Sequence, residues 1–146
     1  MEMHRMFANV GCWCLLLAGS AGLCPGQSFL SQLKSEHDPG KRSELALDFA
    51  DEAFADAKTQ YARGEVHKGD ALLDEMTTAL QECASSLDSA HKAKYYKRAE
   101  IKVAYLQRRM RGLLDDLDAQ ERGWAEFTNR KVEEIHDKLL DGVMRK

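Results

Sequence analysis

Apolar residues recur at alternating spacings of three and four along most of the chain from residue 39 onward. This spacing keeps one apolar stripe on one face of an α-helix, so it predicts amphipathic helices that bury the stripe. Prolines, which interrupt helices, occur only at Pro25 and Pro39 among the 146 residues. The pattern therefore predicts an all-α fold, an antiparallel bundle of about four helices that forms one domain over 39–146.

The helix ends carry their own signals. The predicted helices span 39–63, 65–87, 89–117 and 119–142. Asp38 is a good N-cap for the first helix, and Gly64 is a typical residue for its end. The short turn at Gly64 predicts that the first two helices form an antiparallel hairpin. Asp88 or Ser89 is expected to cap the third helix.

The third apolar stripe loses its register after Leu117. Gln120 stands where an apolar residue is due, and Asp118 is a suitable cap for a new helix. We therefore predict a break near Leu117. The alternative is one helix from 89 to about 142 with a kink near Gly123, because no proline intervenes. The last helix is expected to turn inward Trp124, Phe127, Val132, Ile135, Leu139 and Val143.

The N-terminal part has a different composition. An apolar run over 10–23 follows the single basic residue Arg5, and small residues and Pro25 come after it. This order is typical of a secretory signal peptide, which we assign to residues 1–26. Residues 27–38 lack sustained periodicity and are expected to form a flexible leader.

Cleavage of the signal is expected after Gly26 or Ser28, with Ala21 as a further candidate, because each offers small residues at the positions that the peptidase reads. The protein is then exported to the periplasm or the extracellular space. Two alternatives remain open: an uncleaved N-terminal segment that anchors the chain in a membrane, and a lipid attached to Cys24.

Removal of residues 1–26 leaves Cys83 as the one cysteine of the mature chain. It shares an apolar stripe with Leu80 and Leu87, so we expect a buried thiol that packs as a small apolar side chain.

The turn of the first hairpin has a recognisable spacing. Tyr61 is followed by Gly64, Val66 and Gly69 at intervals of three, two and three. This stretch resembles a tetratricopeptide hairpin over 44–87, in one copy, with Val66 where that family usually has an aromatic residue. The resemblance implies a helical hairpin and an interaction surface. The chain also resembles small exported bacterial helical proteins, a likeness that implies no activity.

Charge is distributed unevenly. Residues 92–111 hold eight basic residues and one acidic residue, whereas 44–82 hold ten acidic and three basic residues. One interpretation is that the basic helix lies beside the acidic hairpin and the two neutralise each other. The other is that the basic strip binds an anionic partner, such as lipid head groups, envelope polysaccharide or an acidic protein. Nucleic acid is not expected, because the net charge is −3 and no binding motif is present.

An interaction surface is predicted from these features, with basic residues that orient a partner and apolar anchors that hold it. Its candidate residues are Lys94, Lys97, Arg98, Lys102, Arg108, Phe49, Phe54 and Trp124. The apolar face of the first hairpin is expected to be partly uncovered, so that an amphipathic helix of a partner can complete it.

Glu133 and His136 form a Glu-x-x-His pair, the arrangement that di-iron bundles use twice. Asp88 and His91 have the same spacing, but no further carboxylates complete a set, so a metal site at Glu133 and His136 is kept as an alternative only. No cofactor and no catalytic residue is predicted.

The sequence thus predicts an exported, non-enzymatic helical bundle that serves as a protein-interaction or structural module of the cell envelope. Its partner would be another protein or a second copy. The alternatives are a peripheral protein that binds anionic surfaces and a metal-binding protein. A small-molecule substrate is not expected, because no phosphate-binding loop or nucleophile motif occurs.

Overall fold

The computed structural model describes residues 25–145, and this part of the chain is all-helical, as predicted. Its five helices are α1 (Pro25–Ser35), α2 (Pro39–Ala62), α3 (Val66–Ala90), α4 (Ala93–Asp116) and α5 (Arg122–Met144). No strand is present between residues 25 and 145. None of the described helices is both long and apolar enough to cross a membrane.

Helix α1 was not predicted. It covers most of the expected leader 27–38 and the last two residues of the expected signal segment 1–26. The structure therefore has one helix more than the four that the sequence predicted. Phe29 and Leu33, one helical turn apart, are both buried. The ring of Phe29 stacks on that of Phe49 with centroids 3.7 Å apart. A run of 11 residues is too short to show sustained periodicity, and this contact supplies the stabilisation that the local sequence lacks.

We assigned a signal peptide to residues 1–26. Its residues 1–24 lie outside the described part of the chain. The preferred cleavage positions, after Gly26 and Ser28, fall inside α1.

Helix α2 begins and ends as the sequence predicted. The carboxylate of Asp38 accepts hydrogen bonds from the backbone N–H groups of Gly40 at 2.7 Å and Lys41 at 3.1 Å. These bonds to its charged form, that of Lys41 foremost, lower the pKa of Asp38 below its ordinary value. Gly64 adopts a left-handed φ of 75° in the turn that follows α2. The hairpin turn is therefore built at the glycine that marked it.

Close approach in this hairpin depends on Gly69 of α3. A Cβ atom at Gly69 would lie 2.8 Å from ring carbons of Tyr61 on α2. The Tyr61 hydroxyl donates a hydrogen bond to Asp70 at 2.5 Å. Burial, followed by this bond, raises the pKa of Tyr61 well above its ordinary value. Tyr61 thus ties the two helices together beside the turn.

The third predicted helix corresponds to α4, and its predicted N-cap, Asp88 or Ser89, is wrong. Helix α3 continues to Ala90 and ends at His91, which has a left-handed φ of 50°. Asp88 instead accepts hydrogen bonds from the Tyr96 hydroxyl at 2.9 Å and from Lys138, whose Nζ lies 3.0 Å from the carboxylate. These partners come from α4 and α5, so tertiary contacts use the carboxylate that local sequence assigned to a helix end.

The break after Leu117 is present, and the alternative of a continuous helix is wrong. Leu117 is extended, with φ −91° and ψ 141°, and α5 begins at Arg122 instead of residue 119. Its predicted inward face is only partly correct, because Trp124 and Phe127 are each 41% exposed. The small side chains of Ala125 and Thr128 are buried in their place, since they fit the close contact with neighbouring helices.

The helices form two hairpins, α2–α3 and α4–α5, that lie side by side with α2 next to α4 and α3 next to α5. Glu44 and Asp48 of α2 pair with Arg98 and Lys102 of α4, and both pairs are 54 residues apart. This constant offset shows that α2 and α4 run parallel. Helix α1 packs on α2 through Phe29.

Cys83 is fully buried and unpaired, as predicted. Burial raises the pKa of its thiol to about 12, because the thiolate would lose its hydration in this position. The side chain therefore stays a neutral thiol in the core.

Candidate interaction surface

The basic helix α4 divides into two strips. The inner strip consists of Arg98, Lys102 and Arg109, which form ion pairs with acidic residues of α2. Arg98 lies 2.5 Å from Glu44, and Lys102 lies 2.6 Å from Asp48. Two of the predicted partner-binding cations, Arg98 and Lys102, thus bind the acidic hairpin of their own chain.

The outer strip of α4 faces solvent. Its members follow one another at spacings of three or four, and all are exposed: Lys94, Lys97, Ile101, Tyr105 and Arg108. Ile101 is 56% exposed and Tyr105 is 54% exposed. The guanidinium of Arg108 lies 5.7 Å from the centroid of the Tyr105 ring. Three predicted cations therefore flank two apolar side chains that the prediction did not include.

The cations of the outer strip have no acidic partner within residues 25–145. None of the ion pairs in this part of the chain includes Lys94, Lys97 or Arg108. The ammonium of Lys94 lies 4.8 Å from the ring centroid of Tyr95. Their positive charge is thus available to an anionic group from outside.

Helix α2 presents an acidic outer strip beside α4. Its members are Leu45, Asp48, Glu52 and Asp56, all exposed and spaced by three or four. Leu45 is 38% exposed. Asp48 pairs with Lys102, whereas Glu52 and Asp56 form no ion pair in the described part of the chain. The surface made by α2 and α4 therefore has one acidic half and one basic half.

A cleft of about 250 Å³ lies between these halves. Its deeper wall is apolar and consists of buried residues: Leu47, Leu80, Val103 and Leu106. Its rim carries Asp48, Asp51, Lys102 and Tyr105. We call the two outer strips and this cleft the α2/α4 face. Its apolar centre and charged edge are the usual anatomy of a protein interface.

The predicted apolar anchors do not belong to this face. Phe54 is fully buried, with the Arg109 guanidinium 4.7 Å from its ring centroid, so it cannot contact a partner. Phe49 is covered by Phe29 of α1. Trp124 is exposed on α5, and its ring N–H donates a 3.2 Å hydrogen bond to Asp74 of α3. Phe54 therefore cannot serve as an anchor, and Phe49 and Trp124 lie outside the α2/α4 face.

Part of the first hairpin is covered by α1. Helix α1 of the same chain packs on α2 at Phe49, with both Phe29 and Leu33 buried. At this position α2 is therefore covered by a helix of the same chain.

Glu133 and His136 do not act together. The Nε2 atom of His136 lies 3.0 Å from Glu100 Oε1 on α4. Glu133 instead accepts a hydrogen bond from the Asn129 amide at 3.1 Å. Among residues 25–145, no three His, Cys, Asp or Glu side chains converge in a way that could hold a metal ion.

Sequence reasoning could have found the outer strip from one signal. Ile101 and Tyr105 stand opposite the buried stripe of α4, where an amphipathic helix normally has polar residues. The sequence could not predict the cleft beside this strip, because Leu47 and Leu80 in its wall come from other helices.

Comparison with known proteins adds no relative: no family model, no curated protein and no solved structure matches the chain. The likeness to a tetratricopeptide hairpin therefore rests on the turn residues alone.

Proposed function

We propose that the protein is an exported, non-enzymatic helical bundle that serves as a protein-interaction or structural module of the cell envelope. The observation that carries the proposal is the outer strip of α4, where Ile101 and Tyr105 are more than half exposed between cations that have no acidic partner among residues 25–145. The α2/α4 face is the interaction surface.

Physical reasons support this assignment. An exposed apolar side chain gains free energy when a partner removes it from water, at about 25 cal/mol per Å² of apolar area. Tyrosine and arginine are the residue types that most often dominate binding energy, and Tyr105 and Arg108 are neighbours here. The cations would speed and orient the encounter more than they strengthen it.

Export is part of the proposal, and it rests on the N-terminal sequence. The extent of α1 argues against the positions preferred from the sequence, because a cut after Gly26 or Ser28 would remove its first residues. A cut after Ala21, with Gly19 as the preceding small residue, would leave Pro25–Ser35 intact. We therefore propose a cut after Ala21, which leaves Cys24 in the mature chain in addition to Cys83. N-terminal sequencing of the protein from the envelope fraction would show the position directly.

A matched pair of variants tests the surface. Lys97→Gln with Arg108→Gln removes two charges from the outer strip, whereas Arg98→Gln with Lys102→Gln removes two charges from the inner strip of the same helix. The tagged protein is cross-linked in envelope extracts. At low salt we expect the outer variant to be cross-linked to much less of its partners, because the cations mainly speed the encounter, and the inner variant to keep them. Equal behaviour of the two variants would remove the α2/α4 face from the proposal.

A second candidate function follows from the same strip: peripheral binding to an anionic membrane surface. Each Lys or Arg near such a surface contributes about 1 kcal/mol, and salt screens the attraction. Co-sedimentation with phosphatidylcholine vesicles, with and without phosphatidylglycerol, tests this candidate. Binding that requires the anionic lipid, weakens with salt and is lost in the outer variant would favour it over a protein partner.

A further inference from the structure

We infer that the partner of the α2/α4 face is a second copy of this chain. The inference rests on the proposed function and names the occupant of its surface. Two copies would meet through this face so that the outer strip of α4 in each lies on the outer strip of α2 in the other.

Charge complementarity is the first reason. The cations of the α4 strip, Lys94, Lys97 and Arg108, have no acidic partner within the described residues. The acids Glu52 and Asp56 of the α2 strip lack a basic partner there as well. One face therefore carries unpaired charge of both signs, on two separate helices.

In a two-fold dimer, the acidic and basic strips of one copy would be complementary to those of the other. Most homo-oligomers are two-fold dimers, in which the same patch of each copy contacts the other. Helices α2 and α4 run parallel and side by side. A two-fold axis along the seam between them would place the acidic half of one copy opposite the basic half of the other, twice.

The same chemistry already joins α2 to α4 inside one copy. Glu44 pairs with Arg98 and Asp48 with Lys102, one helical turn further along both helices. The α2 strip is thus complementary in charge to the outer α4 strip, and in a two-fold dimer along the helices the same offset of 54 would place Arg108 of one copy level with the stretch between Glu52 and Asp56 of the other.

Apolar area is the second reason. Ile101, Tyr105 and Leu45 are among the exposed large apolar side chains, and all three belong to the outer strips. The cleft between the strips has an apolar wall that includes Leu47 and Val103. Contact with a second copy would cover this cleft, which would give the interface an apolar centre and a charged rim.

The face also has a suitable size. Helices α2 and α4 each contain 24 residues, which corresponds to about 36 Å of length at 1.5 Å per residue. Two adjacent helices, each about 10 Å across, present roughly 700 Å². A stable interface buries about 800 Å² per partner, so the face is close to the required area.

Charge reversal in two complementary variants tests the inference. The first variant is Glu52→Lys with Asp56→Lys, and the second is Lys97→Glu with Arg108→Glu. Sedimentation equilibrium of the full mature chain, under reducing conditions that exclude a disulfide through Cys24, measures the mass of each variant and of their mixture. We expect the native protein to reach twice the monomer mass, each variant to remain at the monomer mass, and the mixture to recover the doubled mass.

A control variant reverses two charges away from the face, Asp118→Lys with Asp137→Lys, and should keep the doubled mass. Circular dichroism and the thermal midpoint establish that all variants are folded. The inference is overturned by a native protein that stays monomeric at every concentration, by reversal variants that still self-associate, or by a mixture that stays monomeric.

Failure of the inference is distinguishable from failure of the proposed function. A monomeric native protein whose outer variant still loses its cross-linked envelope partners would have a different occupant on the α2/α4 face. If neither mass nor cross-linking depends on the outer strips, both proposals are wrong.

Discussion

Helix α2 has two flanks that are built from different chemistry. On the side away from α4, four of its buried residues are alanines: Ala46, Ala50, Ala53 and Ala57. Towards α4 it presents Glu44, Asp48 and Asp51, each paired with a cation of α4. The first flank forms a closed contact, whereas the second leaves the cleft of about 250 Å³.

The difference shows how side-chain size and charge set the distance between helices. Small residues allow two helix axes to approach closely, so their surfaces exclude water and gain dispersion energy along the whole contact. Ion pairs between exposed side chains stabilise little. We therefore expect the α2/α3 contact to determine stability and the α2/α4 contact to determine what the protein can bind.

The largest loss of stability should come from a substitution on the α3 side of α2. Leu73 of α3 is fully buried, and Leu73→Ala should lower the free energy of unfolding by about 2–5 kcal/mol, because it leaves a cavity. Leu45→Ala, the same change in the exposed strip of α2, should cost less than about 0.5 kcal/mol in the monomer. Urea denaturation at low protein concentration measures both. Equal losses would contradict the contrast between the two flanks.

Cys83→Ser tests whether the core beside α2 excludes water. A hydroxyl without a hydrogen-bond partner at this buried position should cost about 1–3 kcal/mol. In a chain whose other cysteines are replaced by serine, slow labelling of the Cys83 thiol by a thiol reagent would accompany this result, and rapid labelling would contradict burial.

The same variant has a defined pH dependence. The Cys83 thiol has an ordinary pKa of 9.0, which burial raises to about 12. Between these values the unfolded chain releases a proton that the folded chain keeps, so the free energy of unfolding of the native protein falls as pH rises above about 9. The serine variant lacks this loss, so the difference in stability between the two proteins should narrow with rising pH. A constant difference would contradict the raised pKa.

Replacement of a glycine by alanine should lower the free energy of unfolding in α3 and raise it in α4. Gly69→Ala would push the new Cβ to 2.8 Å from the Tyr61 ring, and we expect a loss of about 1 kcal/mol despite the better helix propensity of alanine. Gly112 on α4 has open space around it, so Gly112→Ala should gain about 0.5–1 kcal/mol. Thermal unfolding of the two variants compares them, and two gains would show that the hairpin tolerates a wider separation.

The smallest effect on stability should come from the ion pairs between α2 and α4. A double-mutant cycle with Asp48→Asn and Lys102→Met should give a coupling energy of about 0–1 kcal/mol, because the pair is exposed. The coupling should shrink further in high salt. A value of several kcal/mol would assign a stabilising role to the charged flank.

Much of the local structure was predictable. The apolar spacing located α2 to α5, Asp38 and Gly64 marked both ends of α2, and the stripe predicted the burial of Cys83. Such features depend on residues within one or two helical turns. The missed helix α1 and the misassigned Trp124 are different, since each depends on a contact with a distant part of the chain.

The sequence by itself determined that this chain is helical, where most helices lie and that opposite charges accumulate in two segments. Only the tertiary structure decided which charges meet, because Glu44 and Arg98 are 54 residues apart and their contact follows from the packing of two hairpins. It also decided which apolar residues stay in water: Phe54 is covered by this packing, whereas Ile101 and Tyr105 are left outside it. Periodicity assigns a residue to a face of its helix, but neighbouring helices determine whether that face is buried.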